Sequence, residues 1–211
     1  MQSAPFFAIA RHRINIDGEG VVTLVCFGGC PLRCQYCINP RCFDGGNNWK
    51  TLTVEQLYEQ TKVDDLYFVA TGGGITFGGG EPVLRSDFIR EFRTYCGDLW
   101  KLSVETSLNV PKQHVVELIP VIDHWIVDVK DLNPAVYKAY TGKDNNLVLE
   151  NLKMLAENGL APKITIRLPL IPNFNSEENR QSSMKQLRQM GFEQFDLLEY
   201  IIKNQSYEQQ R

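Results

Sequence analysis

The sequence predicts an α/β fold, a partial (β/α)6 barrel of the TIM-like kind, built as a single domain over residues 1–211. Three observations carry that expectation. Six β-branched stretches alternate with segments of helical periodicity between Val21 and Tyr200, the pattern of parallel strands joined by right-handed crossovers. The chemically unusual residues fall at or just past the ends of successive strands, and barrel-like closure, rather than an open doubly wound sheet, brings such ends onto one rim. A chain of 211 residues with 43% hydrophobic side chains is long enough for one sizeable core and short for two.

"VVTLVCF" (21–27) is a β-branched run that leads into a cysteine-rich loop over 28–45. "TVEQLYEQTKV" (53–63) places Val54, Leu57 and Tyr58 at helical spacing behind Thr53, with Gln56 where a capping box needs it. "GITFGGGEP" (74–82) is a strand ending in a glycine turn, and the earlier "TGGG" (71–74) is only a turn. A helix then runs from Ser86 or Asp87 to about Tyr95. "KLSVET" (101–106) is a strand, Pro111 stands in the first turn of the next helix, and "HWIVDVK" (124–130) is another strand. Asn133-Pro134 starts a short helix, and residues 146–157 carry Val148, Leu152 and Leu155 on one face before Gly159 stops them. "KITIRLPL" (163–170) is a strand, Asn175 with Glu178 reads as a capping box, and "FDLLEY" (195–200) is the last strand, followed by a short polar tail at 203–211.

Twenty-two Lys and Arg against 25 Asp and Glu, mixed along the chain, give no basic patch for nucleic acid or a membrane surface. No apolar run approaches the ~18 residues of a spanning helix, and the N-terminal stretch lacks the form of a secretory signal. The chain reads as cytoplasmic. In that reducing compartment six cysteines, three of them clustered, read as metal ligands before disulfides. Cys30, Cys34 and Cys37 have C-x3-C-x2-C spacing, one ligand short of a structural zinc site. Three thiolates instead suit a [4Fe–4S] cluster with one open iron, against the plainer readings of a zinc knuckle or free thiols. Cys42 is a weaker candidate for a fourth ligand, and Cys26 and Cys96 read as packing residues. His12, His114 and His124 match no ligand spacing and read as surface or structural residues.

The triplet, with Tyr36 just before its last cysteine, resembles the signature of the radical S-adenosylmethionine superfamily. "NIDGEGVVTLVCFGGCPLRCQYCINP" and "GGGITFGGGEPVLRSDF" resemble the matching stretches of its glycyl-radical-enzyme activating enzymes, and the likeness runs from about Asn15 to Tyr200. The resemblance implies an enzyme whose open iron chelates S-adenosylmethionine. It further implies reductive cleavage to a 5′-deoxyadenosyl radical and hydrogen abstraction from a glycine of a partner glycyl radical enzyme, with electrons from a flavodoxin- or ferredoxin-type reductant. Radical chemistry on a small metabolite or peptide, or a non-enzymatic iron–sulfur electron carrier, are the alternatives.

The resemblance also implies site residues. Gly79, Gly80 and Glu81 meet the cofactor's amino group, and Lys130 and Arg167 its ribose or carboxylate. Tyr36 and Glu105 belong to the same cofactor site. Glu105, Thr106 and Asp128 correspond to residues that hold a monovalent cation, Na+ or K+, although Glu105 stands where aspartate is usual. Asp17, in "DGEG" (17–20), borders the substrate entrance, with Glu19 replacing a proline. Ile38 and Ile201 stand where histidines are found, and the usual C-terminal extension does not follow.

Overall fold

A computed structural model describes residues 2–45 and 48–201, so the polar tail read at 203–211 lies outside the described residues. Among the described residues eight strands form one sheet: β1 (Ser3–Ile14), β2 (Val21–Phe27), β3 (Lys50–Thr53), β4 (Gly74–Gly79), β5 (Lys101–Thr106), β6 (His124–Asp128), β7 (Ile164–Leu170) and β8 (Gln194–Glu199). Their order across the sheet is β3-β1-β2-β4-β5-β6-β7-β8. The six expected strands are therefore contiguous, in chain order and mutually parallel. The other two escaped the sequence reading. β1 lies antiparallel to β2, and β3 antiparallel to the first residues of β1. Pro5 and the charged run Arg11-His12-Arg13 break the alternation of β1, whose pairing with β2 slips twice, and β3 is too short at four residues to announce itself.

Seven α-helices of the described residues cover the outside: α1 (Val54–Thr61), α2 (Asp65–Thr71), α3 (Ser86–Cys96), α4 (Lys112–Leu118), α5 (Pro134–Thr141), α6 (Asn146–Glu157) and α7 (Glu177–Gln189). Thr53 and Gln56 form the expected capping box, at 3.2 and 2.9 Å. Asn133 caps α5 by accepting from Ala135 and Val136. The box expected from Asn175 and Glu178 is one residue out: Ser176 caps α7 and Asn179 reaches back. Asn175 instead folds its own loop, accepting from Ile171 N and donating to Asp131 and the Pro169 carbonyl. Pro111 sits at the cap of α4 rather than inside its first turn. The "TGGG" turn ends α2, where Gly72 takes the left-handed conformation (φ 68°).

Side chains alternate across the parallel strands, as the pleat requires. Leu102, Val104, Trp125, Val127, Ile164 and Ile166 point outward into one apolar cluster beneath the helices. Phe27, Phe77, Phe88 and Phe92 interlock there, with ring centroids 5.5–5.7 Å apart. Burial of each such side chain contributes about 1.5–3 kcal/mol. The intervening residues Ser103, Glu105, His124, Asp128, Thr165 and Arg167 are polar, their neighbour Ile126 is not, and all face the other way and line two cavities. Val22 at the start of β2 and Asp196 in β8, strands well apart in the sheet, line the same cavity of about 390 Å3. The sheet therefore curls around a polar lumen, and the C-terminal ends of its parallel strands form one rim. Among the described residues no helix is long and apolar enough to cross a membrane.

Candidate active site

The rim is built where β2 hands over to the cysteine loop. Gly80 N donates to Phe27 O (2.9 Å) and Glu81 N to Gly29 O (2.8 Å), so the glycine turn after β4 is sewn to the start of that loop. Neither glycine has room for a side chain. A Cβ on Gly80 would stand 2.1 Å from Gly29 O, and one on Gly79, itself at φ +92°, 2.7 Å from Cys26 Cα. Further on, Arg33 N and Gln35 N donate to the carbonyls of Thr141 and Tyr140, which fastens the loop to the end of α5. The Arg33 guanidinium caps the carbonyls of Cys30 and Leu32 and lies over the Phe43 ring. A single 3-10 turn, Pro40–Phe43, then carries Cys42 into the interior.

Cys30, Cys34 and Cys37, all half-buried, line a cavity of about 120 Å3 at this rim. Tyr36, Gly79, Gly80, Glu105, Thr106, Asp128, Lys130 and Arg167 line it too, so the structure brings together eleven of the thirteen residues singled out from the sequence. Burial pushes the Cys30 thiol up to about 12 and the Cys34 thiol to about 11, the latter despite the nearby Lys130 ammonium. These thiols are protonated at neutral pH unless a bound metal draws the proton off. Among the described residues no three His, Cys, Asp or Glu side chains converge tightly enough to hold one metal ion. A cluster takes each thiolate on a different iron, so three thiols spaced around one cavity fit that group.

Opposite the thiols the wall is charged. Lys130 is 9% exposed; its ammonium donates to Asp128 Oδ2 and to the Tyr200 hydroxyl (2.7 Å). Burial opposes that charge, but Asp128 and Tyr200 outweigh it and hold the ammonium well above the ordinary lysine range. Asp128 Oδ1 is buried without a partner. Arg167 bridges Glu105 (3.2 Å) and Asp196 (3.0 Å), and burial raises the Glu105 carboxyl against the pull of Arg167.

Two expected residues lie elsewhere. Glu81 is 2% exposed and outside the cavity wall. Its carboxylate accepts from Thr106 Oγ1 (2.6 Å), Ser107 N (3.0 Å), Ser107 Oγ (2.7 Å) and Val83 N (3.2 Å), tying the β4 turn to the end of β5. Burial pushes its carboxyl up, against those four donors. Asp17 is buried behind the rim, paired with Arg13, while its carbonyl accepts from Thr76 Oγ1 (2.6 Å). Its neighbours Ile16, Gly18 and Glu19 line the lumen beyond Arg167. The histidines hold structure: His12 on Asp64, His114 on Ser86 and His124 on Thr165.

Besides the apolar Leu32, four wall residues were not anticipated. Tyr200 directly follows the last strand, β8, so its position at a strand end could have marked it. Ser107 directly follows Thr106, and Asn39 stands two residues after Cys37. Tyr140, on α5, had no signal in the sequence; Tyr36, Tyr140 and Phe174 pack as an aromatic cluster with centroids 5.1–6.1 Å apart.

The profile of the Radical SAM superfamily matches residues 24–182. The pyruvate formate-lyase 1-activating enzyme of Escherichia coli K12 is 31% identical over 196 residues, covering 88% of this chain and 76% of the relative. The (2S)-3-sulfopropanediol dehydratase activating enzyme of Klebsiella oxytoca is 29% identical over 240 residues, covering 83% of this chain and 74% of the relative. Among solved structures, Streptococcus suis SuiB bound to S-adenosylmethionine has the same fold over 86% of this chain, with a TM-score of 0.64 at 16% identity. This chain spans 43% of SuiB, under half its length.

Proposed function

This chain belongs to the radical SAM superfamily and, within it, to the glycyl-radical-enzyme activating enzymes, and from that premise we propose that it installs a radical on a glycine of a partner enzyme. One observation carries the reading: three thiols, a glycine turn, and paired Lys130–Asp128 and Arg167–Glu105 line one rim cavity. Cys30, Cys34 and Cys37 would hold a [4Fe–4S] cluster, which with S-adenosylmethionine supplies one-electron cleavage of the sulfonium and hydrogen abstraction at the target carbon.

The protein's share is binding and orientation. The backbone of Gly79 and Gly80 offers carbonyls to the cofactor's ammonium, and the buried Glu81 keeps that turn in place from behind. Lys130 and Arg167 face its ribose and carboxylate, each already held by an acid, so neither charge must be reoriented on binding. Tyr36 closes the side next to the last cysteine. Glu105, Thr106 and Asp128 form the proposed monovalent-cation site; the unpartnered Asp128 Oδ1 is an oxygen suited to Na+ or K+. Asp17 stands on the substrate side, and the lumen of about 390 Å3 that shares Arg167 with the rim gives a glycine-bearing segment room to approach. The reading includes one domain, a cytoplasmic setting and a flavodoxin- or ferredoxin-type electron donor.

The test is anaerobic incubation of the cluster-loaded protein with S-adenosylmethionine, a reductant and a candidate glycyl radical enzyme. A glycyl radical doublet in the electron paramagnetic resonance spectrum is expected. Substrate-dependent 5′-deoxyadenosine without that doublet would overturn the activating role and favour a smaller substrate.

A further inference from the structure

Asn39 stands two residues after the last cysteine of the triplet, at the N-cap of the Pro40–Phe43 turn. Asparagine at such a position ordinarily spends its side chain on the N–H groups of its own turn. This one does not. Its main-chain carbonyl accepts from Cys42 N (3.0 Å), while its Nδ2 reaches 40 residues along the chain and donates to Gly79 O at 3.1 Å. The opposite amide orientation would set oxygen against oxygen, so the donor is Nδ2.

We propose that Asn39 is a positioning residue: it ties the cluster loop to the Gly79 carbonyl and aims that carbonyl at the amino group of S-adenosylmethionine. The inference rests on the function proposed above. Gly79 lacks a side chain to fix its peptide and sits at φ +92°, where neighbours leave no space for one. A carbonyl has two lone pairs. Asn39 takes one and leaves the other for the cavity whose wall both residues form. Because Asn39 follows Cys37 so closely, the same bond sets the spacing between the cysteine-bound group and the ammonium acceptor, the kind of preorganisation that orients a reactant before reaction.

The experiment compares wild type, Asn39→Leu (similar shape, no donor) and Asn39→Ala, each loaded with cluster anaerobically. Equilibrium dialysis measures affinity for S-adenosylmethionine and for an analogue with hydrogen in place of the amino group; iron content is measured alongside. The expected result is about tenfold weaker binding of S-adenosylmethionine by the variants, the scale of one charge-assisted contact. The analogue should bind all three proteins alike, with iron unchanged. Equal weakening of both ligands, no weakening of either, or loss of iron from both variants would overturn the positioning role. Failure of wild type to bind S-adenosylmethionine would instead defeat the proposed function itself.

Discussion

Replacing Gly80 with alanine tests the seam between the glycine turn and the cysteine loop. The added Cβ would lie 2.1 Å from Gly29 O, 2.8 Å from Gly29 C and 3.0 Å from Phe27 O, all backbone atoms with no rotamer to escape into. To relieve that clash the two segments must part, which stretches Gly80 N to Phe27 O and Glu81 N to Gly29 O, now 2.9 and 2.8 Å. Two hydrogen bonds at about 1 kcal/mol each, with overpacking of about 1–3 kcal/mol, put the cost at about 3–5 kcal/mol. Against a typical total of about 5–15 kcal/mol this is severe, and it corresponds to a fall in Tm of roughly 6–20 °C for a chain of this size. Gly159→Ala is the control: its φ is +72° but no atom lies within 4 Å of the added Cβ, so only a backbone penalty of about 1–2 kcal/mol applies. Urea and thermal unfolding under anaerobic conditions, with iron content after reconstitution, read both variants. Gly80→Ala should be clearly less stable than Gly159→Ala and retain less iron. If the two unfold alike and Gly80→Ala keeps its iron, the seam is not packed as described.

Alanine at Cys30, Cys34 or Cys37 should each abolish iron and sulfide incorporation, whereas Cys42→Ala should retain it; loss of iron from Cys42→Ala would make Cys42 a fourth ligand. The buried Asp64 carboxylate accepts from Arg11 Nε (2.7 Å), Arg11 Nη2 (2.6 Å) and His12 Nε2 (2.9 Å). Chiefly through the Arg11 hydrogen bonds its carboxyl is held below the ordinary range. A depressed acid stabilises the fold above its unfolded pKa of about 3.9 and loses that contribution as pH falls through the folded value. Asp64→Asn should therefore be less stable than wild type at pH 7, with the gap closing below about pH 4 in urea titrations; a gap independent of pH would contradict the pairing.

The parallel part of the fold was legible because its strands are β-branched runs separated by helical periodicity, and the rim because Glu105-Thr106 and Asp128 stand where such runs stop. β1 was not legible: it begins near Pro5 and ends in Arg11-His12-Arg13, and its place in the sheet depends on long-range pairing with β2 and β3. The role of Glu81 was hidden for a related reason. Its motif says that the residue matters, but whether the carboxylate faces the cavity or the protein is decided by Thr106 and Ser107, some 25 residues later. Tyr140 shows the limit most plainly, since nothing in an amphipathic helix tells which buried aromatic will border a loop from elsewhere.

The alternation along β5, β6 and β7 divides labour between the two faces of the sheet. Stability resides in the outward apolar residues, while Ser103, His124, Thr165 and Gln194 border the lumen and contribute little to the core. On the function proposed above, exchange of those lumen side chains would change which polypeptide or molecule is admitted while leaving the scaffold intact. A barrel arranged in this way is evolvable: its selectivity can drift, or be redesigned, on a surface the fold does not depend on.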